Sequence, residues 1–267
     1  PLSTEWWVCN FVDAAMRWAV PAYVMLSGAL LLDPVRDEPA AAFYKKRLAR
    51  IGIPLVFWSV FFILFDVYYT GWRTWPQALE NLAAGKPYTH LHFVYRIAGL
   101  YLFTPMLRVF LRHCPRPMLV GTVAALLALS AGDSIVNGLT GTDLSAFIRF
   151  APFMGYYLAG YLLREAYVSA GTLRWCWAVV IGSALVLALG TGWLVSLYGM
   201  HGYPSRSMIL YDFTSPIRIA MALACWIILI NTVRTPRLAS PRGRQFFAWL
   251  ATATLGIYLV HPALREI

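Results

Sequence analysis

The chain has 267 residues, of which 60% are hydrophobic and only 13% charged, and its mean hydropathy is +0.61. A soluble domain carries roughly a quarter of its residues as Asp, Glu, Lys and Arg, so this balance excludes a soluble globular fold and points to an integral membrane protein. The formal net charge is +10. In a soluble chain that excess would suggest a nucleic-acid partner; here the basic residues punctuate apolar spans, where lipid headgroups or an anionic substrate are their natural neighbours and nucleic acid is not expected.

A transmembrane helix needs about 20 mostly apolar residues, and polar breaks divide the sequence into about eight such windows: 17–32, 50–70, 93–111, 117–131, 146–163, 175–198, 214–233 and 246 to the end. The fourth is short enough to be tilted, re-entrant or simply mis-cut. Unbroken apolar runs such as 179–189 do not alternate as the strands of a β-barrel would. The expected fold class is therefore all-α, a polytopic transmembrane helix bundle. Residues 1–267 form a single membrane domain, with no internal repeat and no low-complexity linker.

Lys and Arg fall unevenly between the windows. The first break carries Arg36, Lys45, Lys46, Arg47 and Arg50; the third carries Arg112 and Arg116, with Arg108 at its edge. The fifth carries Arg164 and Arg174, and the seventh Arg234, Arg237, Arg242 and Arg244. The alternate breaks hold only Arg73, Lys86 and Arg206. The positive-inside rule makes the first set cytoplasmic and puts the start of this chain outside. Nothing at the N-terminus resembles a signal peptide. A multi-span protein made without one often starts inside, so a further helix is expected ahead of Pro1, and the final apolar segment is expected to continue past Ile267.

Ionisable groups at membrane depth are functional candidates by default. Arg17, Arg96, Arg149 and Arg218 stand at or just inside the outer ends of apolar windows. They either snorkel to the interface or line an outward-facing polar cavity for an anionic or sugar substrate. His90 and His92 precede the third window and project the same way if the backbone there is extended. His113 lies in a basic inner loop and His201 in a glycine-rich outer one. His261 lies well inside the last window, directly before Pro262. Because a proline frees a backbone carbonyl one turn back, a structural bond to that carbonyl is the alternative to a chemical role for His261.

Cys9, Cys114, Cys176 and Cys225 are scattered, so neither a disulfide framework nor a zinc site is indicated. No G-x-S-x-G, H-E-x-x-H or Walker pattern occurs, and acidic residues are almost missing from the windows, Asp66 and Asp212 lying near outer ends. Carboxylate proton relays and metal sites are not expected, nor is a permanently bound cofactor. A histidine base working with arginine and backbone donors is the chemistry this inventory permits.

The stretch 17–54 contains Arg17-x-x-Val20-Pro21, Tyr23-Val-Met-Leu-Ser27-Gly28, and then Lys45-Lys46-Arg47-x-x-Arg50-Ile-x-Ile-Pro54. It resembles the acyltransferase 3 family of bacterial multi-span membrane acyltransferases. Three further stretches are similar to that family in the same order: His90-Leu-His92-Phe-Val-Tyr95 through Pro105, Phe153-Met-Gly-Tyr156 through Tyr161, and Leu255-Gly-Ile-Tyr258-Leu-Val-His261-Pro262.

The resemblance implies a bacterial inner-membrane enzyme of about ten helices. Such an enzyme moves an acyl group, most often acetyl, from cytoplasmic acyl-CoA to a hydroxyl of an exopolysaccharide, a lipid-linked oligosaccharide or another envelope glycan. Arg47 and Arg50 are then placed for the CoA phosphates, the alternative being a plain topology signal. Ser27 and Gly28 allow either passage of the pantetheine arm or close helix approach. Arg96, Arg149, Tyr95, Tyr156 and His92 are candidates for the acceptor side, and His90, His261 and Arg17 for support of catalysis. The family's first helix carries an Arg and, eleven positions later, the principal His; no such pair lies ahead of Arg17, so that His is not named in this chain. His92 stands where the family often has Trp. The competing class is a non-enzymatic transporter or flippase, which would more often show internal repeats and paired broken helices.

Overall fold

The computed structural model describes residues 2–266 except 36–37, 84–86, 89, 142–149, 200–203 and 234–240. Among the described residues there are helices and turns and no strand. Among the described residues six helical stretches are long and apolar enough to cross a membrane: Thr4–Leu31, Ala40–Thr70, His92–His113, Arg116–Thr140, Ala170–Tyr198 and Ile209–Thr232. Two further helices fall in the remaining expected windows. The described fifth window is only α8, Met154–Leu162, entered through a short 3-10 turn; the last is α12, Pro241–Glu266.

Among the boundaries that differ from the sequence expectation, two do so for a clear local reason. The first window begins earlier than residue 17, because Ser3 caps a helix, α1 (Thr4–Met16), by accepting from the Trp6 amide at 3.3 Å. That helix runs on through a break at Arg17 and Trp18 into α2 (Ala19–Leu31). Arg17 therefore lies inside a 28-residue apolar stretch and not at its end. The fourth window extends to 25 residues in α7 (Arg116–Thr140), since the polar residues that read as its end bond within the helix. The Ser130 hydroxyl donates to the Leu126 carbonyl at 2.7 Å and Asn137 donates to Asp133 at 3.0 Å.

The chain divides into two compact units. The first holds α1, α2, the latter part of α6 (His92–His113), α7, α8, α9 (Ala170–Tyr198), the short α10 (Pro204–Ser207), a 3-10 turn at Ile209–Tyr211, and most of α11 (Pro216–Val233). In it α8 packs against both α2 and α7, and α1 against α9. The α2–α8 contact is a backbone approach. A Cβ on Gly28 would stand 1.8 Å from the Tyr157 carbonyl oxygen, and one on Gly160 1.9 Å from that of Met25, so only glycine fits at either crossing point.

The second unit is built on the continuous helix Ala40–Thr70, made of α3 (Ala40–Arg47), a π turn at Leu48–Gly52, α4 (Ile53–Leu64) and a second π turn at Phe65–Thr70. Pro54 explains the first π turn. It cannot donate to the Arg50 carbonyl and its ring crowds that group, and widening the helix just upstream relieves the clash. With α5 (Trp75–Ala83), the first part of α6 and α12, this helix encloses a core of Leu55, Phe62, Tyr88, Leu91, Val94 and Leu259.

Replacing Gly160 by Val should destabilise the first unit by on the order of 3 kcal/mol or prevent folding, whereas Gly121→Ala on α7, whose added Cβ meets nothing within 4 Å, should leave stability unchanged or slightly raised. Thermal unfolding of the purified variants in detergent reads both.

Candidate functional site

In the second unit the sequence candidates His90 and His261 come together. His90 sits in the turn that enters α6, and His261 on α12, with ring centroids 5.4 Å apart. Phe62 (5.0 Å), Tyr88 (5.6 Å) and Tyr258 (5.3 Å) each meet the His90 ring edge to face. The Tyr258 hydroxyl donates to the His90 backbone carbonyl, and Nδ1 of His261 bonds to the Tyr258 carbonyl at 2.8 Å. Arg96, one turn along α6, acts electrostatically on Tyr258, and the Tyr95 hydroxyl lies 3.1 Å from that of Ser59. The site thus gathers residues from α4, α6, α12 and the loop ahead of α6.

The backbone at residues 90–91 is not extended. The Phe93 amide bonds back to the His90 carbonyl at 3.2 Å and the Val94 amide to that of Leu91 at 2.9 Å, so His90 lies in a turn and His92 opens the helix. The expected alternation of the two rings is replaced by this helical entry.

Both ring nitrogens of His90 are buried. Burial, reinforced by the neighbouring His261, pushes its pKa from 6.5 down to about 4; the Leu259 carbonyl opposes the shift weakly. His90 is therefore neutral at physiological pH. In the unfolded chain it would bind a proton below about 6.5, so between 6.5 and 4 the unfolded state holds more protons than the folded one.

Arg47 and Arg50 also belong to this unit but part company. The Arg47 guanidinium lies over the rings of Phe43 (5.2 Å) and Tyr101 (5.5 Å) with its Nε buried and unbonded, while Arg50 is exposed on the π turn. An α-helix would bring positions 47 and 50 to one face; the wider turn that Pro54 provokes separates them. Lys46 pairs with Glu38 at 2.7 Å.

The first unit holds a second polar cluster that sequence reasoning only half anticipated. Arg17 donates from Nη1 to the Tyr211 carbonyl at 3.3 Å, pairs with Asp13 one turn back, and lies 4.0 Å from the Tyr211 ring centroid. Arg218, 2% exposed, donates from Nη1 to the same carbonyl at 2.9 Å and from Nε to the Arg17 carbonyl at 2.7 Å. Asp212 and Asp13 supply the compensating charge. Both arginines are thus engaged inside the protein instead of snorkelling. Tyr156 is fully buried, its hydroxyl bonded to the Phe213 carbonyl at 3.0 Å, so it presents no surface to a ligand here. The bare face of Gly28 is filled by Tyr157, which is the close-approach reading of Ser27-Gly28. Arg149 and His201 lie outside the described residues.

Tyr258, Tyr88 and Phe62 were missed as site residues. Only Tyr258 left a sequence signal, because it lies four residues before Pro262, where a freed carbonyl must stand.

A chain of membrane-spanning helices that brings a half-buried and an exposed histidine together fits a membrane-embedded transfer enzyme. A family model described as an acyltransferase domain matches residues 2–267, and the chain belongs to the acyltransferase 3 family. No curated protein matches the chain, and no solved structure does.

Replacing Arg218 by Met strands the Arg17 carbonyl and weakens the hold on that of Tyr211, and should cost about 3 kcal/mol of stability; Arg174→Ala, on an exposed position, should cost nothing measurable. Stability carried by neutral His90 should be present in full above about pH 6.5 and lost as pH falls toward 4. The stability of wild type relative to His90→Phe should fall as pH drops from about 6.5 toward 4, read from melting curves of both proteins across that range.

Proposed function

We propose that the protein is a bacterial inner-membrane O-acyltransferase that moves an acyl group, acetyl by preference, from cytoplasmic acyl-CoA to a hydroxyl of an exopolysaccharide or other envelope glycan. The observation that carries the reading is the convergence of His90 and His261, with ring centroids 5.4 Å apart, in a chain that belongs to an acyltransferase family over nearly its whole length.

The chemistry needs a base for the acceptor hydroxyl and cations for the donor. An imidazole takes the hydroxyl proton, and the oxygen lone pair forms a bond to the thioester carbonyl carbon. The tetrahedral oxyanion collapses, the C–S bond breaks, and the departing CoA thiolate takes the proton from the imidazolium. Arg47, held on two aromatic faces, and the exposed Arg50 are suited to the CoA phosphates. Arg96, Tyr95, His92 and Arg149 are assigned to the acceptor side. Arg17 and Tyr156 contribute by holding the turn at residues 211–213. The basic loops face the cytoplasm, the start of this chain faces outward, and membrane lipid is the surrounding partner.

Arg47→Ala and Arg50→Ala in the intact protein should each weaken acyl-CoA binding, by about tenfold for Arg47; unchanged affinity in both removes the phosphate role. In cells, deletion should abolish glycan O-acylation and His90→Ala should reduce it sharply. Unaltered acylation in the deletion strain would overturn the proposal.

A further inference from the structure

Asp66 lies in the second π turn, Phe65–Thr70, and is 1% exposed. A buried carboxylate needs a partner, and the chain turns back to supply one. The Thr70 hydroxyl donates to the Asp66 carbonyl at 3.1 Å and accepts from the Trp72 amide at 3.3 Å, while Gly71, at φ 66°, ends the helix in the left-handed region that suits glycine. The reversal returns Arg73 to Asp66, with Nη1 2.9 Å from Oδ2. The same nitrogen donates to the Pro87 carbonyl at 2.9 Å. Nη1 carries two protons, so one goes to each oxygen, and the carboxylate fixes where the carbonyl stands.

The residues after Pro87 form one wall of the site. Tyr88 stacks on Phe62 with centroids 4.3 Å apart and planes 26° from parallel, and His90 meets both rings edge to face, at 5.0 Å from Phe62 and 5.6 Å from Tyr88. Phe62 belongs to α4, one turn before Asp66. The ion pair and the ring stack therefore tie Pro87, Tyr88 and His90 to adjacent turns of one helix.

We infer that Arg73 is a positioning residue of the acceptor site: braced by the buried carboxylate of Asp66, it holds the Pro87 carbonyl and so keeps Tyr88 and His90 seated on Phe62. That this wall meets the acceptor rests on the acyl-transfer reading above. A buried ion pair adds little net stability over an apolar pair of the same shape, but it selects the one arrangement in which both charges are compensated. Such selection matters at a reacting centre, where a displacement of about 1 Å can cost about a hundredfold in rate. Arg47 and Arg50 lie toward the other end of the helix Ala40–Thr70, about 24 Å from Asp66 at helical rise, so donor binding should not depend on Arg73.

The test uses the whole protein in lipid nanodiscs, with acetyl-CoA as donor and envelope glycan isolated from the deletion strain as acceptor. Arg73→Met combined with Asp66→Asn leaves no unpaired buried charge and should fold, yet it releases the Pro87 carbonyl. The double variant should lower kcat/KM for the glycan by about tenfold to a hundredfold while the Kd for acetyl-CoA stays within about twofold. Arg73→Lys, whose single nitrogen can donate to both oxygens, should stay within about threefold of wild type. NMR of histidine-labelled protein, with His90 assigned through the signal lost in His90→Gln, should show the ring-current shifts from Phe62 and Tyr88 in wild type and Arg73→Lys and their collapse in the double variant. Wild-type His90 shifts or wild-type kcat/KM for the glycan in a folded double variant overturn the inference, as does an equal loss of acetyl-CoA affinity. Absence of any acyl transfer by the wild-type protein would count against the acyl-transfer reading, while the His90 shifts would still judge the positioning.

Discussion

A backbone carbonyl in hydrocarbon must be bonded by the protein itself, and that constraint accounts for most of the polar side chains at membrane depth here. Each helix end or interruption leaves carbonyls without amide donors, and at several of them a side chain supplies the donor. Arg108 donates to the Leu31 carbonyl at 2.7 Å, where α2 ends. Arg17 and Arg218 share that of Tyr211 at the end of its 3-10 turn. Tyr156 takes that of Phe213, Asn231 that of Ala166, and Ser130 that of Pro152. His261 takes that of Tyr258. Charge is tolerated at these depths because it is spent on carbonyls and balanced by nearby acids such as Asp13 and Asp212.

The two polar clusters consequently differ in kind. In the first unit Arg17, Arg218 and Tyr156 hold α1, α11 and the turn at 209–213 in one arrangement. In the second unit the same constraint has a by-product. Satisfying one carbonyl uses a single nitrogen of His261 and leaves the other available, beside a histidine that burial keeps uncharged. The bond to the Tyr258 carbonyl is the structural alternative weighed for His261.

Much of this was legible in the sequence. Low charge and long apolar windows give the helical membrane class, and the motifs at 17–54, 90–105 and 255–262 give the family. Pro262 even marks the carbonyl that His261 bonds. What the sequence hid lies where polar residues sit inside helices: Asn10, Asp13 and Arg17 masked α1, and Ser130 through Asn137 masked the end of α7, because their partners are reached through space or one helical turn back. The parting of Arg47 from Arg50 depends on a π turn, which follows from Pro54 only once the helix is known to continue through it. The meeting of His90 with His261 joins residues far apart in the chain, and no local pattern announces it.

The central claim is that this helical membrane protein makes and breaks acyl bonds instead of moving a glycan or lipid unchanged. The most direct measurement follows the purified full protein in nanodiscs with acetyl-labelled acetyl-CoA and an envelope-glycan acceptor, recording free CoA thiol and glycan-bound label together. The account predicts that both appear in equal amounts. Release of neither, with the acceptor glycan carried across the membrane unmodified, would contradict it.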